Sequence, residues 1–119
     1  MGVLLLPIGA ALRSILFAPL VEEAVFRLGV QDALSMRLPA RQVRFAPALT
    51  ALAFASLHLL LAPSVRAWPL AAATALPAWW IGVLYERHRR LAPCVAWHAA
   101  FNLAWLGGLC AVVPALAEP

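Results

Sequence analysis

Ala18-Pro19-Leu20-Val21-Glu22-Glu23-Ala24-Val25-Phe26-Arg27 sets three charges inside an apolar run that extends from about Val3 to Leu34 and also holds Arg13. The run is too long for one straight membrane crossing, since about 20 residues span the hydrocarbon. Proline breaks or kinks a helix just before itself, so a bend is expected near Ala18-Pro19. Charged side chains inside a bilayer are expensive and usually functional, which makes this stretch a candidate site as well as a candidate span.

The rest of the 119-residue chain agrees with a membrane setting. Hydrophobic residues make up 65% of it, the mean hydropathy is +0.89, and a soluble domain holds roughly half apolar residues. The length bounds the chain to one domain over residues 1–119. Three further apolar stretches follow, at about 45–62, 67–85 and 93–116. The fold class is therefore all-α, a polytopic membrane bundle of about four transmembrane segments. The first 20 residues lack a basic region ahead of the apolar stretch and a small-x-small cleavage site, and read as a retained membrane segment. The nine basic residues are all arginine, and apart from Arg13 and Arg27 they sit between apolar runs. A nucleic-acid binder gathers them on one soluble face, so nucleic acid is not an expected partner. Cys94 and Cys110 would lie roughly 24 Å apart on one helix, too far for a disulfide, and read as small packing residues.

Arginine placement gives the orientation. Arg37, Arg41 and Arg44 fall in one loop, and Arg87, Arg89 and Arg90 in another, while the opposite side shows Arg66. The positive-inside rule makes both basic loops cytoplasmic and puts the termini outside, unless Pro19 divides the first stretch into two spans. Trp68, Trp79 and Trp80 are possible interface anchors, with packing the favoured role for the last two.

Helical spacing sorts the intramembrane polar residues. Glu23 and Arg27 are four apart on one face, acid first, the favourable order for an ion pair. Glu22 points about 100° away and is left as an unpaired carboxylate suited to proton transfer. His58 follows Phe54 by four residues. His98 and Asn102 are also four apart, and an imidazole beside a carboxamide offers two donors to one point, as a developing oxyanion requires. Counting about 1.5 Å per residue from the basic loops, Glu22 and His58 lie roughly 20 Å deep, Asn102 nearer 14 Å and His98 shallower still, a gap that tilt, or a last helix beginning after Pro93, would narrow.

Three of these patterns together resemble the CAAX-protease/bacteriocin-processing (CPBP, or Abi) family of glutamic-type intramembrane endopeptidases. Glu22-Glu23-Ala24-Val25-Phe26-Arg27 is similar to its E-E-x-x-x-R motif, Phe54 to His58 to its F-x-x-x-H, and His98 to Asn102 to its H-x-x-x-N/D. Gly82 to Arg87 and Leu91-Ala92-Pro93 resemble the family's approach to that last motif. The family often has glycine directly after the arginine, where this chain has Leu28 before Gly29. The chain also resembles short members linked to C-terminal sorting-tail (JDVT-CTERM) systems.

The resemblance implies a multi-pass protease of the cell (inner) membrane, hydrolysing a peptide bond of a membrane-associated or exported protein. It implies that Glu22 and His58 activate water and that His98 and Asn102 hold the oxyanion, with Glu23, Arg27 and Phe54 in support. A chain so short also implies shielding of the site by a homo-oligomer or a partner subunit. No cofactor is expected. The alternative is a zinc peptidase with Glu22, His58 and His98 as ligands, although H-E-x-x-H is absent from the sequence. A non-catalytic scaffold or immunity protein is a further alternative, opposed by the intact motifs. A proton-relay transporter would call for an inverted repeat or paired broken helices, which the sequence does not show.

Overall fold

The computed structural model describes residues 8–62 and 64–116, with side chains described through 108. The start of the first apolar stretch, Pro63 and the side chain of Cys110 lie outside the described residues. The described residues form four helices and no strand. These are α1 (residues 8–37), α2 (Val43–Leu61), α3 (Val65–His88) and α4 (Leu91–Leu116).

Prolines explain most of the boundaries. In α1 the chain stays helical through Pro19 instead of breaking, with Phe17 at φ −75°, ψ −50° and Ala18 at φ −60°, ψ −47°. The disturbance expected there takes the form of a change of winding. Arg13–Phe17 is a π-helical turn, Ala18–Glu23 is α, and a second π stretch covers Ala24–Gln31. Leu38, before Pro39, leaves the helix at ψ 143°, as the residue preceding a proline tends to do. Pro47 and Pro69 both fall in first turns, where a missing N–H costs nothing. Pro77 is accommodated by an interruption at Thr74, which places it in the first turn of Ala75–His88. The Thr74 hydroxyl donates to Ala71 O at 2.6 Å across that interruption.

The distribution of side chains is inverted relative to a soluble protein. The largest fully buried residues include Arg27, Gln31, Glu23 and Thr50, whereas Phe17, Leu20, Leu28, Leu52, Leu60, Leu61 and Leu76 are exposed. Water rewards the opposite arrangement, and lipid rewards this one. Two helices, α2 and α3, are long and apolar enough to cross a membrane, with mean hydropathies of 1.5 and 1.3. Phe26, Ala51, Phe54 and Ala78 pack α1, α2 and α3 together, with Phe26 edge-on to Phe54 at 5.0 Å between centroids. Ile81, Tyr85 and Cys94 join α3 to α4, so Cys94 is the packing residue expected. Trp80 meets Trp97 edge-on at 6.1 Å. Trp79 and Trp80 are both about half-exposed, and of the two Trp80 has an aromatic packing contact, with Trp97.

Candidate active site

The i, i+4 arithmetic on α1 gives the ion pair directly. Arg27 Nε donates to Glu23 Oε2 at 2.7 Å, with both side chains buried. The same spacing continues to Gln31, whose Oε1 accepts from Arg27 Nη1 at 2.8 Å. Two bonds then fasten this stripe to the backbone of α3. Arg27 Nη2 donates to Ala78 O at 3.0 Å, and Gln31 Nε2 to Gly82 O at 2.9 Å. Glycine is needed at position 82 for space. A Cβ there would stand 3.0 Å from Arg27 Nη1, 3.1 Å from Gln31 Oε1 and 3.1 Å from Pro47 Cβ.

From Gln31 the network runs on toward the basic end of the helices. Gln31 Nε2 and the Ser35 hydroxyl both donate to Glu86 Oε1, at 2.9 and 3.1 Å. Asp32 accepts from the Tyr85 hydroxyl at 3.0 Å and from Arg89 Nη2 at 2.8 Å. Arg89 closes the α3–α4 turn with φ at 51°, a left-handed conformation costly for a side-chain-bearing residue. Its bond to Asp32 and its stacking over Tyr85, 4.7 Å from the ring centroid, hold it there. Sequence reasoning missed Gln31, Asp32, Ser35, Tyr85, Glu86 and Arg89 as parts of one network. The spacing Glu23, Arg27, Gln31, Ser35 was the available signal.

The other end of the stripe reaches α4. His98 Nδ1 lies 2.7 Å from Glu23 Oε1, and His98 Nε2 lies 3.5 Å from Glu22 Oε2. The carboxylate of Glu23 can only accept, so His98 Nδ1 carries a hydrogen. Glu23 is therefore shared between Arg27 and His98. Glu22 has no partner beyond His98 among the described residues, and its side chain is 33% exposed.

His58 and Asn102 complete the set without touching the carboxylates. His58 Nδ1 is 2.9 Å from Phe54 O. A carbonyl accepts, so Nδ1 is the donor, and in the neutral ring Nε2 keeps its lone pair. Phe54 separates the two histidines, with its ring centroid 4.3 Å from that of His58 and 5.8 Å from that of His98. Asn102 Nδ2 donates to Ser14 O on α1 at 2.9 Å. A cavity of about 450 Å³ runs between α2, α3 and α4, and Glu23, His58, His98, Asn102 and Thr74 supply its polar atoms. Phe54, Ile81, Phe101 and Trp105 make up part of an otherwise apolar wall. Glu22 is not part of that wall; it reaches the cavity through His98 Nε2. The described residues hold no three His, Cys, Asp or Glu side chains grouped to share a metal ion.

Residues 4–104 match the model of the type II CAAX prenyl endopeptidase Rce1-like family. The chain belongs to this family. No curated protein and no solved structure matched the chain. Membership makes it a CAAX-type membrane protease, a hydrolase acting on protein or peptide substrate. The inverted interior and the apolar helices α2 and α3 agree with that setting.

Proposed function

We propose that this member of the Rce1-like family is a glutamic-type intramembrane endopeptidase, one multi-pass core of the cell membrane in which Glu22 is the base. The observation that carries this reading is the unequal commitment of the paired glutamates. Glu23 is buried and bound at 2.7 Å to both Arg27 and His98, whereas Glu22 has a single loose contact at 3.5 Å. A carboxylate held by two charge-assisted bonds is a poor proton acceptor, and an unpaired one is free to take a proton.

In this mechanism a water molecule at Glu22 loses a proton to that carboxylate as its oxygen attacks the scissile carbonyl carbon, with His58 assisting from the cavity wall. The carbonyl π bond opens to an oxyanion, which accepts hydrogen bonds from His98 Nε2 and Asn102 Nδ2. Because His98 Nδ1–H is engaged by Glu23, Nε2 can donate only in the imidazolium form. Collapse of the intermediate breaks the C–N bond, and the proton held by Glu22 passes to the leaving amine. Lipid around Glu22 would be displaced by the substrate itself or by a second copy of the chain.

The test is cleavage of candidate membrane peptides, prenylated and unprenylated, by the purified protein in detergent. Glu22→Ala should abolish cleavage, and a strong chelator should leave it intact. Activity that is lost on chelation and restored by one zinc per chain would overturn the metal-free reading.

A further inference from the structure

Pro19 stands three residues before the paired glutamates, is buried, and has no part in the mechanism above. The turn that precedes it is wound as a π-helix, in which the Ala18 N–H reaches back five residues to Arg13 O. One residue further along, that register would pair the N–H of residue 19 with Ser14 O. Proline has no N–H to give. In that register the Ser14 carbonyl receives nothing from residue 19, and a donor that meets it is Asn102 Nδ2 from α4, at 2.9 Å. In hydrocarbon no water competes for that carbonyl, so the side chain fills a need created by the proline.

The consequence lies with the other half of the carboxamide. Its nitrogen carries two hydrogens. Ser14 takes one, which fixes the rotation of the amide and leaves the second for the cavity that Asn102 lines. We propose that Pro19 is a positioning residue: by withholding an N–H it opens the Ser14 carbonyl, and that carbonyl orients the Asn102 carboxamide toward the cavity. The catalytic consequence rests on the endopeptidase reading. The anchor itself does not.

The experiment separates the missing N–H from the proline ring. Pro19→Ala supplies the N–H, while substitution of Pro19 by lactic acid, the α-hydroxy analogue of alanine, removes the ring and supplies none. Asn102 is the sole asparagine of the chain, so selective ¹⁵N-asparagine labelling reports one side-chain NH₂ group. Its two proton resonances should be well separated in the wild type and in the lactate protein, and should draw together in Pro19→Ala. In cleavage assays Pro19→Ala should lower kcat about 10- to 100-fold with KM unchanged, as misplacement of an oxyanion donor would. The lactate protein should retain wild-type kcat, and Pro19→Ala should cost nothing more in an Asn102→Ala background. Unchanged NH₂ resonances in Pro19→Ala would overturn the proposal, as would equal losses in the alanine and lactate proteins. Shifted resonances together with normal cleavage by Asn102→Ala would uphold the anchor and sink the oxyanion role of Asn102 instead.

Discussion

In Glu23→Gln the side chain keeps its length, but one of its two acceptor oxygens becomes an NH₂ donor. Both oxygens are in use, Oε2 by Arg27 Nε–H and Oε1 by His98 Nδ1–H, each at 2.7 Å. Whichever way the amide turns, it sets a donor against a donor. It also leaves Arg27, fully buried, without its counter-charge. Removing one partner of a buried pair costs about 3–5 kcal/mol. At about 4 °C per kcal/mol for a chain of this size, the thermal midpoint in detergent should fall by about 12–20 °C. Glu22→Gln removes only the 3.5 Å contact of a side chain that is 33% exposed. Such pairs are worth about 0–1 kcal/mol, so its midpoint should stay within about 4 °C of wild type while cleavage is abolished. Adding Arg27→Gln to Glu23→Gln removes the stranded charge and should restore part of the loss. Recovery will be incomplete because Gln31 Oε1 and Ala78 O then lose a donor, at about 1–3 kcal/mol for each buried acceptor left unmet. Differential scanning fluorimetry of the four proteins, alongside cleavage assays, reads every term. Equal midpoint losses for Glu22→Gln and Glu23→Gln, with no rescue by Arg27→Gln, would refute the division of labour.

Gly82→Ala places a methyl 3.1 Å from Pro47 Cβ and 3.0 Å from Arg27 Nη1, and the proline ring cannot move aside. Overpacking of this kind costs about 1–3 kcal/mol, and the midpoint should drop accordingly, with cleavage falling as Arg27 and Gln31 shift. The two basic loops are proposed to be cytoplasmic, so a cysteine introduced at position 41 should react with an impermeant thiol reagent only from the cytoplasmic side. Labelling only from the opposite face would invert the orientation.

The helices were legible because hydropathy and proline are one-dimensional signals. The apolar stretches at about 45–62, 67–85 and 93–116 correspond to α2, α3 and α4, and the Glu23–Arg27 pair follows from the pitch of a helix. What Pro19 does to the winding of its helix was not legible, because proline forbids one hydrogen bond without saying what replaces it. Here the replacement is a π turn and a side chain 83 residues further along, bonded at 2.9 Å. The meeting of His98 with Glu23 was not legible either. Periodicity gives the face on which a residue lies but not the helix that the face will meet. The Gln31–Gly82 and Asp32–Tyr85 bonds belong to the same class, since they depend on how α1 is set against α3.

Charge bookkeeping in a low dielectric supports the proposed assignment of roles. Glu22 and Glu23 carry two negative charges, and Arg27 with a protonated His98 carries two positive ones, within contacts of 2.7 to 3.5 Å. With His98 protonated, the form that its proposed oxyanion role demands, the cluster is neutral. When Glu22 takes the proton from water, the four groups hold one net positive charge, and the oxyanion formed in the same step supplies one negative charge beside it. The total never departs from zero, so no uncompensated charge develops where solvent cannot screen it. Assigning the base to Glu23 breaks that balance locally. Its protonation would remove the acceptor that keeps Arg27 and the imidazolium in place, stranding two adjacent cations at the moment when their geometry matters. The carboxylate that can afford to change charge is the one that holds nothing else together.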